Sequence, residues 1–559
     1  MKINMYNITA YNFLLYFHTI KYLKIKQVIW RIWYKIRPNP YLKNNKFQKR
    51  ETCGKWIQPI LKSQSLFGKN KFFFLNQVGE LDQIGWQGIQ KSKLWRYNQH
   101  YFDDLNSIDA NLRIDWHINL VNHWIKSNPI IKKNISVGWD PYPTSLRSVN
   151  LIKWVISGGV LTKEIEKTLV QHGHWLCKKI EWQIMGNHLF ANAKALIFMG
   201  CFMKGRFADY WLAKGVKILR AQLTEQILED GGHFERSPMY HCIILEDILD
   251  IINLTQRHKN IFTLEFKKEL TKSAEKMLSC IKDLTHPDGQ ISFFNDSSFG
   301  VAAIPCKIFN YANDLSVKYE KRAQNKNSIT VTKYISSGYV RLDTATAVTI
   351  MDVGSVGPSY QPGHAHAGTL SFELSIKKAR IIVNSGISCY EDSWVRKEER
   401  STSAHSTVEV NGHNSSEVWS SFRVARRAKI IDLEIRKEPK SSIIECSHDG
   451  YHRLNGSVTH SRTLSVSENE VQVVDNLTGH FVKAVAHFHI HPAVQIQYLS
   501  DTHYLLHVPG IKSEINFIIN EGKSSIKKSF FSSEFGNRAE SKKICVNFIN
   551  PYSSITIKW

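Results

Sequence analysis

Residues 363–368 read GHAHAG, two histidines one residue apart among glycines and alanines. Side chains of an extended chain alternate faces, so His364 and His366 would point the same way. The run that follows, TLSFELSIKKARIIVNSG, alternates Leu370, Phe372, Leu374 and Ile376 with Ser371, Glu373 and Ser375, which predicts a strand. Two imidazoles on one face can share a metal ion, or divide metal binding from proton transfer. The plain alternative is a pair satisfied by backbone carbonyls. Three other stretches concentrate polar and aromatic side chains. GWDPYPTSLRSVN (138–150) puts Tyr142 and Arg147 near a helix start. GNHLFANAKAL (186–196) opens a helix with Asn187 and His188, and Asn192 follows about one turn on. DGGHFERSPMYHCIILED (230–247) gathers His233, Glu235, Arg236, Tyr240 and His241 in a turn before a helix. Free N–H groups make a helix start a receptive place for an anion. The structural alternatives are a cap at Asn187, a plain turn at Asp230-Gly231-Gly232 and a core residue at Tyr240.

The elements that must position these residues fall into two textures. From about residue 100 to 320 the apolar period is helical. DANLRIDWHINLVNHWIKSNP is one such segment, with Asp109 as cap and Pro129 as stop. Short loops with Gly, Pro or Asp join the successive helices, which predicts a toroid of helix pairs. From about residue 330 short β-branched runs alternate with Gly, Asn and Asp turns, which predicts an antiparallel sandwich. The expected fold is α+β and multidomain. Residues 1–90 form a basic N-terminal extension and helical lead-in, 91–325 an α/α toroid and 330–559 a β-sandwich, with the boundary in the polar stretch 319–332 and a cleft between the halves.

The chain has 559 residues, too many for one core, and 43% of them are hydrophobic. Its formal net charge of +24 favours an anionic partner. No RNA-binding signature, zinc finger or basic zipper is present, which argues against a dedicated nucleic-acid reader. Nine cysteines, none in a CxxC pair, do not indicate a disulfide scaffold. Residues 1–50 carry eleven Lys or Arg and no Asp or Glu. MYNITAYNFLLYFHTI is broken by Asn7, Asn12 and His18 and reads as neither secretory signal nor membrane span. VIWRIWYKIRP reads as a basic amphipathic helix ended near Pro38, an ordinary packing helix with contact to a membrane surface as its alternative. In HFHIHP, His487, His489 and His491 would share a strand face, read as solvated or lining a cleft rather than as a second metal site.

GNHLFANAKAL, DGGHFERSPMYH, GHAHAG, IIVNSG and RSTSAHSTVEVNG, in this order and with helices before strands, resemble the heparinase II/III-like polysaccharide lyases from about residue 90 onward. The resemblance implies that Asn187, with His188 beside it, grips a uronate carboxylate. It implies that Tyr240 and His364 transfer protons. It also implies a zinc site beneath the cleft formed by His366, the residue on the next strand and His405. That middle position is an aspartate in the family and is Asn384 here, a neutral and weaker ligand. Zinc there would brace a sandwich loop rather than activate water. The implied partner is an acidic polysaccharide and the implied location the periplasm or cell envelope. With no export signal read at the N-terminus, the cytoplasm is the alternative.

These residue types suit β-elimination. Removing the proton at C5 of a uronate places charge beside the C6 carboxylate, so that carboxylate must first be neutralised or hydrogen-bonded, and amide or imidazole donors act where the charge builds up. His364 is the natural base near neutral pH; Tyr240 protonates the leaving oxygen readily and needs help to act as a base. Arg147 and Arg236 could hold further carboxylates or sulfates, and Glu235 could fix Arg236 or a histidine. Asn295 and Asp296 could line the same cleft or form a turn. Two other readings stand beside a lyase. One is a glycoside hydrolase using carboxylates among Asp230, Glu235 and Asp296. The other is a non-catalytic glycan-binding or assembly protein.

Overall fold

In the computed structural model, which describes residues 5–39, 46–130, 136–319 and 329–559, the helical period between residues 93 and 314 becomes a succession of paired helices. Their starts follow from capping. Ser92, Thr162, Ser237 and Thr263 each accept a hydrogen bond from a backbone N–H in the first turn of the helix they precede, and Pro141, Pro238 and Pro305 occupy first-turn positions where no N–H is needed. Helix Gly186–Phe202 is buried along nearly its whole length, as a helix apolar on all sides must be. Its Lys194 reaches Asp247 (2.6 Å) and Asp250 (2.5 Å), and Lys153 also reaches Asp250, so a buried ion network ties three helices together.

Asp109 is no side-chain cap. It has φ of 54° and precedes the 3-10 turn Ala110–Arg113, and the helix begins at Ile114. The stretch before the toroid is not only a helical lead-in, because Leu66–Gly68, Lys71–Phe74 and Gln77–Glu80 form a three-stranded antiparallel sheet. Its Phe72 packs into the helical core with Trp86 and Trp95. The boundary at 319–332 falls mostly on residues 320–328, outside the described residues.

The second half is a sandwich of an eight-stranded and a nine-stranded antiparallel sheet. Between them lies a core that joins Val340, Leu342 and Leu374 of one sheet to Ile444, Leu464, Val473 and Ile555 of the other. GHAHAG is not part of a strand. A 3-10 turn ends at His364, Leu370 has φ of 62°, and pairing starts at Phe372. The strand Phe372–Ile376 is buried on both faces, so its polar alternates Glu373 and Ser375 face His286 of the helical half. His487 and His489 are buried rather than solvated; His489 bonds Ser403 O and Ser529 Oγ. No helix among the described residues is long and apolar enough to cross a membrane.

Candidate active site

Helix Pro238–Arg257 begins where Ser237 Oγ accepts the Tyr240 N–H (3.1 Å) and donates to Asp296 O (2.6 Å). This double bond places Tyr240 in the first helical turn, against the loop that carries Asp296. Arg236 and Asn295 both hold positive φ, 55° and 56°. The Asn295 amide secures them, donating to Arg236 O (2.6 Å) and accepting from His366 N–H (3.0 Å). One amide thus ties the turn before Tyr240 to the histidine loop of the sandwich, and such strained backbone persists only where the surroundings fix it.

Asp296 is the hub of the site. Its Oδ1 accepts from Arg396 Nη1 (2.5 Å) and His366 Nε2 (2.7 Å), and its Oδ2 accepts from Arg396 Nη2 (2.7 Å) and His364 Nδ1 (2.7 Å). Burial alone would raise its carboxyl; Arg396 and the two imidazoles hold it well below the usual range. A carboxylate at His364 Nδ1 fixes the proton on that nitrogen and leaves Nε2 with its lone pair. His364 and His366 do converge, but on a carboxylate rather than on a shared metal.

The His364 ring lies against that of Tyr240, tilted by 30° with centroids 4.0 Å apart. The Tyr240 hydroxyl meets the Tyr390 hydroxyl at 3.0 Å, and Tyr390 packs edge-on against Phe422 and Phe535. Burial, reinforced by Tyr390, pushes the Tyr240 phenol well above its ordinary value, so it is neutral. On the other side of His364, Nε2 stands 3.9 Å from Glu235 Oε2. Glu235 is buried, and neither of its oxygens has a side-chain hydrogen-bond partner; the Asn187 backbone N–H is the donor turned toward it. Burial pushes its carboxyl up and outweighs the attraction of His364. Gly186, with φ of 56°, lies directly against it: a Cβ there would stand 2.8 Å from Glu235 Oε1. The next residue, Asn187, is buried and its side-chain oxygen is likewise unpartnered. His188 is a quarter exposed, meets Tyr142 at a tilt of 35° with ring centroids 4.4 Å apart, and bonds Glu181 through Nδ1 (3.0 Å).

Two residues expected to hold substrate anions are placed otherwise. Arg147 has no exposed surface; it lies 3.8 Å over the Trp124 ring and donates to His100 O (3.1 Å), so it belongs to the helical core. Arg236 spends its guanidinium on the backbone oxygens of Ser336, Ser337, Ser355 and Gly357, clamping sandwich loops to the helical half. Asp296, Arg396 and Tyr390 went unassigned or undervalued in the sequence. The one signal for Arg396 was its place four residues before the run RSTSAHSTVEVNG, and Tyr390 had none.

His366 Nδ1 and His405 Nε2 face one another at 3.0 Å. Their outer nitrogens donate to Asp296 and to Ser401 O (2.7 Å), so both inner nitrogens carry lone pairs. Burial holds both rings neutral, with pKa values lowered to about 3 for His366 and about 4 for His405. Two opposed lone pairs repel, and a cation between them relieves this; on a tetrahedral zinc, imidazole nitrogens stand about 3.3 Å apart. The third position fits less well. Asn384 Oδ1 accepts from Ser406 N–H (3.1 Å) and its buried NH2 has no partner. Among the described residues no three His, Cys, Asp or Glu are grouped to hold a metal ion. The residues fit a cation held by two imidazoles with at most a neutral amide oxygen beside them.

Comparison with known proteins agrees with this architecture. The family described as "Heparinase II/III N-terminus" matches residues 4–321, and "Heparinase II/III-like, C-terminal" matches 330–559. A heparin-sulfate lyase of Bacteroides stercoris is 22% identical over 412 residues, 65% of this chain and 60% of that protein. One from Pedobacter heparinus is 24% identical over 60% of this chain and 53% of its own length. The matches thus span less than two thirds of these relatives. A crystal structure of heparinase III superposes with a TM-score of 0.63 at 17% identity, over 82% of this chain and 76% of that one, which shows a shared fold. With both family regions matched along almost its entire length, this chain is a member of the heparinase II/III family.

Proposed function

We propose that the protein cleaves an anionic, uronate-containing polysaccharide by β-elimination, with Tyr240 and His364 on one sugar. The observation that carries this reading is their juxtaposition: the ring of a neutral phenol whose centroid lies 4.0 Å from that of an imidazole whose free nitrogen is set by Asp296. The relatives named heparin-sulfate lyases support the substrate class, and the net charge of +24 favours a polyanion.

The steps follow from the charges. Glu235, whose carboxyl burial pushes up, donates in its protonated form to the substrate carboxylate, and the Asn187 amide adds a second donor; together they weaken the charge that opposes carbanion formation at C5. His364 Nε2 takes the C5 proton. The electron pair forms the C4–C5 double bond as the C4–O bond breaks, and Tyr240 gives its proton to the leaving oxygen. The imidazolium beside the phenolate then returns the proton. Asp296 holds His364 in the required tautomer, much as a carboxylate orients a catalytic histidine in hydrolase triads. Zinc, where bound by His366 and His405, would stiffen the loop behind His364 and take no part in the bond changes.

A hydrolase reading lacks a second competent carboxylate at this hub, since both Asp296 oxygens are filled by four donors. Incubation with heparan sulfate, chondroitin, hyaluronan and alginate tests the proposal. The expected result is near-ultraviolet absorbance of the unsaturated product with at least one polymer. Reducing ends without absorbance, or binding with no cleavage of any uronate polymer, would overturn it.

A further inference from the structure

Helix Ile25–Ile36 packs against the molecule with one side only. Gln27 is buried, the Tyr34 hydroxyl donates to Ile180 O (2.5 Å), Trp30 meets Trp182 and Lys24 pairs with Glu225. The opposite side is an unbroken apolar stripe. Ile25, Val28, Ile29, Ile32, Trp33 and Ile36 recur at the three- and four-residue spacing of one helix face, and all are exposed, Ile25 by 78% and Ile36 by 68%. The preceding helix, Met5–Ile20, is pinned to the sandwich: Trp419 Nε1 donates to Thr19 Oγ1 (3.1 Å), and Tyr16 meets the Trp419 ring edge-on. It too leaves apolar side chains exposed, Phe13, Phe17 and Ile20. A soluble surface seldom leaves so much contiguous apolar area uncovered.

The charges indicate what covers it. Residues 12–39 carry Lys21, Lys24, Lys26, Arg31, Lys35 and Arg37 and no acidic residue. At 100° per residue, Arg31 and Lys35 fall along one edge of the stripe and Trp33 near the other, where Lys26 lays its ammonium 3.6 Å over the Trp182 ring. An apolar face, a cationic flank and an aromatic at the margin describe a helix lying in the plane of an anionic bilayer, where basic stems reach past the apolar face to the headgroups. A second copy of this chain would set one cationic face against another and be repelled.

We infer that this helix pair docks the protein on an anionic lipid surface. The docked pair lies beside the site. Lys24 Nζ stands 3.9 Å over the ring of Tyr360, which is four residues before His364, and Gln361 lies against Gly186 next to Glu235. Docking would therefore hold the cleft at the membrane face and favour glycans displayed there. This inference stands whether or not the chain proves to be a lyase.

Co-sedimentation of the full chain with lipid vesicles tests it. Pelleting is expected with vesicles of phosphatidylcholine and phosphatidylglycerol at low salt, roughly tenfold or more weaker with phosphatidylcholine alone, and reduced by raising the salt. The double substitution Ile29→Asp with Ile32→Asp should abolish pelleting and leave the melting temperature unchanged, because both side chains are exposed. No pelleting with the anionic vesicles would overturn the proposal. So would equal binding to neutral vesicles, pelleting unaffected by the double substitution, or a solution dimer that the substitution converts to monomer.

Discussion

At the residue scale, the proposed site rests on Tyr240, His364, Glu235 and the carboxylate behind them. Tyr240→Phe removes only the hydroxyl that bonds Tyr390. It should lower kcat/KM by about 10²- to 10⁴-fold, the range for losing a proton-transfer group, at a stability cost of about 1 kcal/mol. Glu235→Gln keeps a donor in place and Glu235→Ala does not, so steady-state kinetics should show the alanine variant with the larger rise in KM and fall in kcat. Asp296→Asn leaves buried Arg396 without its anion and His364 without its fixed tautomer. It should cost about 3–5 kcal/mol in denaturant unfolding, and activity should fall with it. Tyr240 and His364 were legible because each sits in a distinctive run, SPMYH and GHAHAG. Asp296 was not, because an Asn-Asp pair in a loop looks like any turn. Its role appears only when Arg396 and the two histidines, from 68 to 100 residues away in sequence, close on it.

At the scale of elements, helix starts were the most readable feature. Ser237 and Pro238 mark the beginning of the helix that presents Tyr240, and both signals act within one turn. The strand predicted after the histidines is present over Phe372–Ile376 but does not extend back to His364 and His366, because apolar and polar alternation marks a strand without marking its first residue. The positive φ at Leu370 and the bond from His366 N–H to Asn295 turn the histidine segment out of that strand. The arginines were misread for a related reason. A sequence shows an arginine near a motif but not that Trp124 lies under Arg147, or that four carbonyls surround Arg236. Arg236 clamps the turn before Tyr240 to the loops around Ser336 and Ser355. Arg236→Ala should therefore lower the melting temperature, by about 1–3 kcal/mol in equivalent stability, and raise KM more than it lowers kcat, as the cleft walls drift.

At the scale of the whole molecule, the order of helices before strands was read correctly because the periods 3.6 and 2 differ over hundreds of residues. The exposed stripe on Ile25–Ile36 was visible as amphipathic, but only the fold shows which side faces outward. The buried histidines give the molecule a pH dependence with a definite sign. Burial holds His100 at about 3 and His241 at about 4, below the ordinary value near 6.5. The unfolded chain therefore binds protons that the folded chain refuses between those values, so each contributes stability that is full above pH 6.5 and declines by about 1.4 kcal/mol per pH unit as the pH falls. The lowered carboxyl of Asp296 acts in the same direction, its contribution being lost as the pH falls below the ordinary carboxylate range. Thermal melts should be highest near pH 7 and above and fall steeply from pH 6 to 4; a flat profile would contradict the burial of these rings as neutral species. The central claim is that the two halves of the molecule close on a single uronate. A crystal structure of the Tyr240→Phe variant with a uronate oligosaccharide tests it most directly. The expected density places C5 of one ring toward His364 Nε2, the C4 oxygen toward the ring edge where the phenol stood, and the carboxylate at Glu235 and Asn187. A sugar bound along another face, or one reaching His364 with its C4 oxygen turned away from residue 240, would contradict it.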